Sequence, residues 1–179
     1  MKLSIDKWQD FKLKDLFKIV YGVNLEYSNC EETTKDDPEA IPFVSRTETN
    51  NGVSGYVKPI AGIEPQKAGL ITVAAGGSVL STFVQPQQFY SGRDLYLLIP
   101  RYEMSLSIKL FIVTLITTNK YKYNYGRQAN KTLPDIVIKL PVNESCNPDW
   151  LSIEKFMGGV AHKAYYHFQQ ILSQAFGDE

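Results

Sequence analysis

The segment from Ile41 to Val57, Ile-Pro-Phe-Val-Ser-Arg-Thr-Glu-Thr-Asn-Asn-Gly-Val-Ser-Gly-Tyr-Val, carries the pattern that decides the fold. Its apolar opening predicts a short strand over 41–46, and the run from Val53 predicts a second strand that returns to residue 57. Between them, Asn51-Gly52 is a strong signal for a tight turn, because these residue types tolerate positive φ. The segment therefore predicts two strands joined by a polar loop.

Further strands are predicted on both sides of this segment. The apolar runs that indicate them lie at 18–21, 70–74, 78–85, 88–90, 94–99 and 136–140. One helical turn is expected at 14–17, and turns are expected at Gly22 and Gly76-Gly77. This alternation of strands and helical segments predicts a mixed α/β (α+β) fold.

Two longer segments have a helical period. Over 104–118 the apolar residues, with Leu106, Leu110 and Val113, cover most of the circumference, which predicts a buried helix. From Trp150 the apolar residues form only a narrow stripe, consisting of Ile153, Met157, Val160, Ala164, Phe168, Ile171 and Ala175. Such a stripe suits either packing on its own domain or pairing with a second helix, and its place at the end of the chain favours pairing.

Length and composition favour an ordinary globular protein. A chain of 179 residues with 44% hydrophobic residues can bury a core, here expected at 1–148 with a C-terminal helix at 149–179. Residues 1–6 lack the apolar core of a secretion signal, and the longest apolar run is too short to span a membrane. Cys30 and Cys146 are isolated, which fits a reducing compartment. We therefore expect a soluble, cytoplasmic protein with no membrane partner.

Charge is distributed unevenly although the formal net charge is zero. Residues 26–39 contain six acidic side chains against one lysine, a net charge of −5. Residues 101–139 contain seven Lys or Arg against two acidic residues, a net charge of +5. Opposite patches on a neutral protein favour oriented docking over indiscriminate adhesion to polyanions, although two solvated surfaces remain the alternative.

The basic region includes the stretch Tyr121 to Lys131, Tyr-Lys-Tyr-Asn-Tyr-Gly-Arg-Gln-Ala-Asn-Lys. Arginine binds guanine O6 and N7, asparagine and glutamine bind adenine N6 and N7, and lysine and tyrosine contact phosphates. Gly126 allows a close backbone approach or a turn through positive φ. The stretch suits nucleic-acid recognition, and a polar edge strand with its loop is the alternative.

No constellation of catalytic residues is evident. Gly76-Gly77-Ser78 lacks the lysine of a phosphate-binding loop, and Ser78 has no nucleophile elbow around it. His162 and His167 are about 140° apart around a helix and cannot share a metal. The segment 134–139 places apolar residues where a nuclease would need its second carboxylate. We therefore expect no enzymatic activity, no cofactor and no metal.

The order of several short motifs resembles the target-recognition domain of a type I restriction-modification specificity subunit, or of the related fused restriction-modification enzymes. The motifs lie at 8–22, 41–47 with 50–53, 69–73 with 76–78 and Phe83, 123–127, and 138–141 through 148–150. Each is short, and their order and spacing together carry the likeness over nearly the whole chain.

This resemblance implies a domain with a curved mixed sheet that recognises one part of a bipartite site in double-stranded DNA. It also implies a spacer helix that docks a methyltransferase (modification) subunit, which modifies adenine. A full specificity subunit has two such domains, whereas this chain has one. The resemblance therefore implies either a half-subunit that acts as a homodimer through its C-terminal helix, or a piece of a longer protein. A protein-interaction or decoy module that does not itself read DNA is the alternative function.

Candidate contacts follow from residue chemistry within this resemblance. The residues expected at base edges are Arg46, Thr47, Asn50, Asn51, Arg127 and Gln128. The residues expected to hold the DNA backbone or to stack are Arg93, Lys122, Tyr123, Tyr125 and Lys131. The residues expected at a subunit interface are Ile153, Met157, Val160, Ala164, Phe168 and Ile171.

Overall fold

The computed structural model describes residues 7–123 and 128–176, with side chains described up to residue 171. The strands are β1 (Trp8–Lys12), β2 (Phe17–Tyr21), β3 (Glu32–Thr33), β4 (Ile41–Val44), β5 (Val53–Val57), β6 (Ile71–Ala74), β7 (Thr82–Val84), β8 (Tyr90–Ser91), β9 (Leu95–Pro100) and β10 (Val137–Pro141). The α-helices are α1 (Leu13–Leu16), α2 (Leu106–Thr117) and α3 (Trp150–Phe176).

Two compact units divide the chain. The larger comprises Asp10–Ile138, and the smaller combines the residues up to Gln9 with those from Lys139 onward. The larger unit holds two four-stranded sheets, with strand orders β2-β9-β6-β7 and β3-β5-β4-β8. β1 and β10 form a separate two-stranded sheet. The predicted mixed α/β class is thus confirmed, and the strands are distributed over three sheets rather than one.

The two large sheets differ in strand direction. All pairs in β2-β9-β6-β7 are antiparallel, and all four residues of the inner strand β6 are buried. In the other sheet β4 pairs with β5 antiparallel and with β8 parallel. Ile41, Phe43, Val57 and Tyr90 form an apolar cluster in this second sheet. A second cluster contains Val44 of β4 and Leu97 of β9, so it joins one sheet to the other.

The predicted tight turn between β4 and β5 is present. Asn50, Asn51 and Gly52 all have positive φ, at 47°, 54° and 81°. The Gly52 amide donates to the Thr49 carbonyl at 2.9 Å, and the Ser45 amide donates to the Gly52 carbonyl at 2.8 Å. The loop that carries the candidate polar residues is therefore closed by its own backbone.

Two sequence predictions about the larger unit were wrong in detail. The strand expected over 78–85 is limited to β7, because Leu80 adopts positive φ (60°) and residues 78–81 form a turn. The helix expected to be buried on most sides buries one face only. Leu106 and Leu110 of α2 are 60% and 42% exposed, whereas Ile108 and Ile112 are buried. Residues 120–122, at the start of the basic segment, form a 3-10 turn.

The smaller unit contains the predicted C-terminal helix. The Asp149 carboxylate caps α3 by accepting from the Ser152 amide at 3.0 Å and from the Ser152 hydroxyl at 2.6 Å. The helix continues through Gly158-Gly159. Ile153 is fully buried, so the exposed part of the apolar stripe lies farther along, where Val160, Phe168 and Ile171 are about half exposed. None of the described helices is both long and apolar enough to cross a membrane.

Tyr90 provides a test of the core. Its ring is 1% exposed, and its hydroxyl accepts from the Ile60 amide at 3.0 Å and donates to the Ile63 carbonyl at 2.9 Å. Tyr90→Phe leaves both backbone groups without this partner, so we expect the free energy of unfolding to fall by about 1–3 kcal/mol. Urea unfolding measures this change. Tyr102→Phe, at an exposed ring, is the control; equal midpoints for both variants would contradict the assigned role.

Candidate nucleic-acid interface

Arg46 lies just beyond the end of β4, in the polar loop that leads to β5. Its Nη1 is 2.7 Å from Asp94 Oδ2, in an ion pair whose side chains are 36% and 27% exposed. The Arg46 carbonyl accepts from the Ser78 amide at 3.2 Å. The predicted base-contacting arginine is therefore fixed at both its backbone and its guanidinium, and part of its side chain still faces solvent.

Tyr21 holds the carboxylate that pairs with Arg46. The Tyr21 hydroxyl donates to Asp94 Oδ1 at 3.1 Å and accepts from the Asp94 amide at 2.7 Å. An ordinary tyrosine hydroxyl is protonated at neutral pH, and burial raises the pKa of Tyr21 further, so this hydroxyl can donate. The Asp94 carbonyl accepts from the Ala75 amide at 2.8 Å. Asp94 is thus bound through its amide, its carbonyl and its carboxylate.

Two glycines after β6 leave room for the ion pair. A Cβ atom on Gly76 would lie 3.2 Å from both Arg46 Nη1 and Asp94 Oδ2. Gly77 has φ of 63°, and a Cβ there would lie 3.0 Å from the Arg46 carbonyl oxygen. Because larger residues would press on Arg46 at either position, the Gly76-Gly77 turn predicted from sequence also shapes this surface.

The two asparagines of the loop are already hydrogen bonded. Asn50 Nδ2 donates to the Val53 carbonyl at 3.0 Å. Asn51 Nδ2 donates to the Val84 carbonyl at 3.1 Å, and the Asn51 carbonyl accepts from Gln85 Nε2 at 3.1 Å. Asn51 therefore ties the loop to β7, which is a structural role that the sequence interpretation did not include. Thr47 is half-buried, and its hydroxyl bonds to that of Thr49 at 3.0 Å.

The basic segment lies beside this loop. Lys120 forms an ion pair with Glu48, and this hydrogen bond holds the pKa of Glu48 below its usual value of 4.5. The Ala129 amide donates to the Ala75 carbonyl at 3.0 Å, which anchors the far end of the segment next to the Gly76-Gly77 turn. Two stretches about 75 residues apart in sequence, around Arg46 and around Lys120, are thereby brought together.

Several predicted side chains of the basic segment are partly engaged. Lys122 Nζ donates to Asn119 Oδ1 at 2.6 Å, and Tyr123 shares a 3.1 Å hydrogen bond with the Thr132 hydroxyl. Gln128 is exposed and its Oε1 accepts from Asn130 Nδ2 at 3.2 Å. Lys131 is exposed.

Arg93, which was also predicted to contact DNA, is placed differently. Arg93 Nε is 2.5 Å from Glu26 Oε1, so it pairs with the acidic stretch of residues 26–39. Tyr125 and Arg127 lie outside the described residues. Asp94, Tyr21 and Lys120 were not among the predicted site residues, because only their distant partners reveal their part in it. Within the described ranges, no cluster of three or more His, Cys, Asp or Glu side chains is arranged to hold a metal ion.

Comparisons of the sequence with known proteins agree with one another. The family model for the Type I restriction modification DNA specificity domain matches residues 5–148. The Type II restriction enzyme BgcI specificity subunit S.BcgI of Heyndrickxia coagulans is 28% identical over 159 residues, which are 87% of this chain and 44% of that protein. The chain therefore spans less than half the length of this relative.

Solved structures share the fold. The HsdS subunit from Thermoanaerobacter tengcongensis matches with a TM-score of 0.61 and 16% identity, over 99% of this chain and 42% of that one. The type I restriction-modification S subunit from M. genitalium matches with a TM-score of 0.58 and 14% identity, over 94% of this chain and 42% of that one. These likenesses support the mixed α/β architecture.

The link between Glu48 and Lys120 is testable by titration. A carboxyl whose pKa is lowered in the folded state stabilises that state fully above its ordinary pKa, and this contribution is lost as the pH falls through the lowered pKa. Lys120→Met should return the pKa of Glu48 to its usual range, as measured by NMR titration of the carboxyl carbon. Lys122→Met, a change of the same kind two residues away, should leave it low. A normal Glu48 pKa in the unaltered chain would disprove the contact.

Proposed function

We propose, because this chain belongs to the type I restriction modification DNA specificity domain family, that it recognises a specific sequence in double-stranded DNA and performs no catalysis itself. One observation carries the proposal: the loop at 46–51 and the segment at 120–131 meet at the Lys120–Glu48 ion pair and around the Gly76-Gly77 turn. Together they present arginine, amide and lysine side chains, which are the groups that recognise bases and phosphates.

The residues proposed to contact DNA are assigned different roles according to their surroundings. Arg46, Thr47, Asn50 and Gln128 are at least partly exposed and are assigned to base edges, and we extend this role to Arg127. Asn51 is assigned to shaping the loop, because its amide is bonded to β7. The residues assigned to phosphates or stacking are Arg93, Lys122, Tyr123, Tyr125 and Lys131.

The proposed partners are suggested by the family and by the exposed apolar stripe of α3. Residues 1–148 would read the DNA, and the helix at 149–179 would dock a methyltransferase subunit and a second recognition domain. The exposed stripe from Val160 to Ile171 gives a second copy of this chain an apolar surface on which to pair. Two copies related by a two-fold axis would read a symmetric, interrupted site. Recognition of cellular DNA would place the protein in the cytoplasm.

Selection from a pool of randomised duplexes at low salt tests DNA recognition. We expect the purified chain to enrich one sequence. Gln128→Ala should relax the preference at one base pair, by about 1–3 kcal/mol if it contacts a base edge in bidentate fashion. Lys131→Ala should weaken binding to all sequences alike and reduce the salt dependence. Recovery of an unenriched pool by the unaltered chain would refute sequence recognition, and identical profiles for the two variants would refute their assigned roles.

Pairing through α3 is tested by light scattering. The Phe168 side chain is 55% exposed, so Phe168→Asp should shift a dimer toward monomer without disturbing the core. The matched control is His162→Asp, which places the same residue about 160° around the helix from the centre of the stripe. Equal masses for the two variants would rule out pairing through this stripe.

A further inference from the structure

We infer that Asp94 is a positioning residue that holds the Arg46 guanidinium to read a guanine in the DNA major groove. This inference deepens the proposed function and rests on it. The inference is supported by two linked side-chain contacts: Tyr21 hydrogen bonds to Asp94, and Asp94 hydrogen bonds to Arg46. To recognise a base, an arginine must hold its guanidinium N–H donors in one orientation. The side chain by itself is flexible.

The contact with Asp94 uses only part of the hydrogen-bonding capacity of the Arg46 guanidinium. Asp94 Oδ2 accepts from Arg46 Nη1 at 2.7 Å, whereas a guanidinium carries further N–H groups on its three nitrogens. The Arg46 side chain remains 36% exposed. The pair therefore restrains the side chain while leaving it accessible to a ligand, as a preorganised base contact requires.

Asp94 is itself held in place. It has φ of 54°, a conformation that asparagine and aspartate tolerate better than most residues. Its amide donates to the Tyr21 hydroxyl, its carbonyl accepts from Ala75, and its Oδ1 accepts from Tyr21. Gly76 supplies the space in which the ion pair sits. These contacts come from segments that are distant in sequence, so the fold specifies the position of the carboxylate.

The ion pair favours a base over a phosphate as the ligand. Phosphate binding depends on net positive charge, which Asp94 offsets at Arg46. Guanine instead presents two adjacent acceptors, O6 and N7, that match two N–H groups of one guanidinium. The other bases lack this pair of acceptors on their major-groove edge. A neutralised but oriented arginine thus retains its preference for guanine and loses much of its attraction to the DNA backbone.

The test compares base preference with total binding in the full chain. The sequence that the unaltered protein selects is changed one base pair at a time, and dissociation constants are measured for the parent protein, Arg46→Ala, Asp94→Asn and Tyr21→Phe. Asparagine keeps the shape of aspartate and tolerates the positive φ. Asp37→Asn is the matched control, because Asp37 forms an ion pair of similar exposure with Lys58. Thermal unfolding checks that each variant is folded.

We expect Arg46→Ala to abolish discrimination at a single G·C pair. Asp94→Asn should reduce discrimination at that same pair about tenfold, with a smaller loss for Tyr21→Phe. Asp94→Asn should also raise affinity for random duplex, because it removes a negative charge beside the DNA. A merely structural role would instead lower specific and nonspecific binding together. The control should leave the base preference unchanged.

Three results would overturn the inference. The first is full discrimination by Asp94→Asn at the Arg46-dependent pair, the second is the absence of guanine from that pair, and the third is an equal loss of discrimination at every position. In each of these cases the parent protein still selects a sequence, so the proposed function stands. Absence of any selected sequence for the parent protein would reject the proposed function and the inference together.

Discussion

The ion pair between Arg46 and Asp94 is the contact on which the geometry of the candidate interface depends. Arg46 follows β4 of one four-stranded sheet, and Asp94 precedes β9 of the other. The pair therefore joins the loops of two sheets at one point, and the Gly76-Gly77 turn closes against it. The two side chains are 36% and 27% exposed, so removal of either charge leaves the other without its partner but still partly solvated. The surface is consequently built from mutually dependent loops rather than from one independent segment.

Local sequence patterns account for much of the fold. The Asn51-Gly52 turn, the strands around it and the long helix from Trp150 depend on neighbouring residues, and the structure has them where the pattern predicts. The distribution of strands over three sheets depends on pairings between distant segments, which periodicity does not encode. Leu80 shows a related limit: a β-compatible apolar run was interrupted by a positive φ that only the surrounding turn requires.

The candidate site was predictable in its residue types but not in its partners. Arginine, asparagine and glutamine in loops suggest base contacts, yet Asn51 and Arg46 are bound to Val84 and Asp94, which are distant in sequence. Lys120 and Glu48 likewise become significant only when the chain brings them together. Residue chemistry thus indicates which side chains are candidates for base contact, while nonlocal contacts determine which of them are held in a fixed orientation.

The three consecutive positive φ angles at Asn50, Asn51 and Gly52 bear on how such a loop diversifies during evolution. Most side chains pay about 1–2 kcal/mol for a left-handed conformation, and β-branched residues fit it worst. Substitutions at these three positions are therefore restricted to a few residue types. Variation in this loop is therefore expected mainly at positions 46–49, where the backbone has no such restriction, while residues 50–52 keep the shape of the turn.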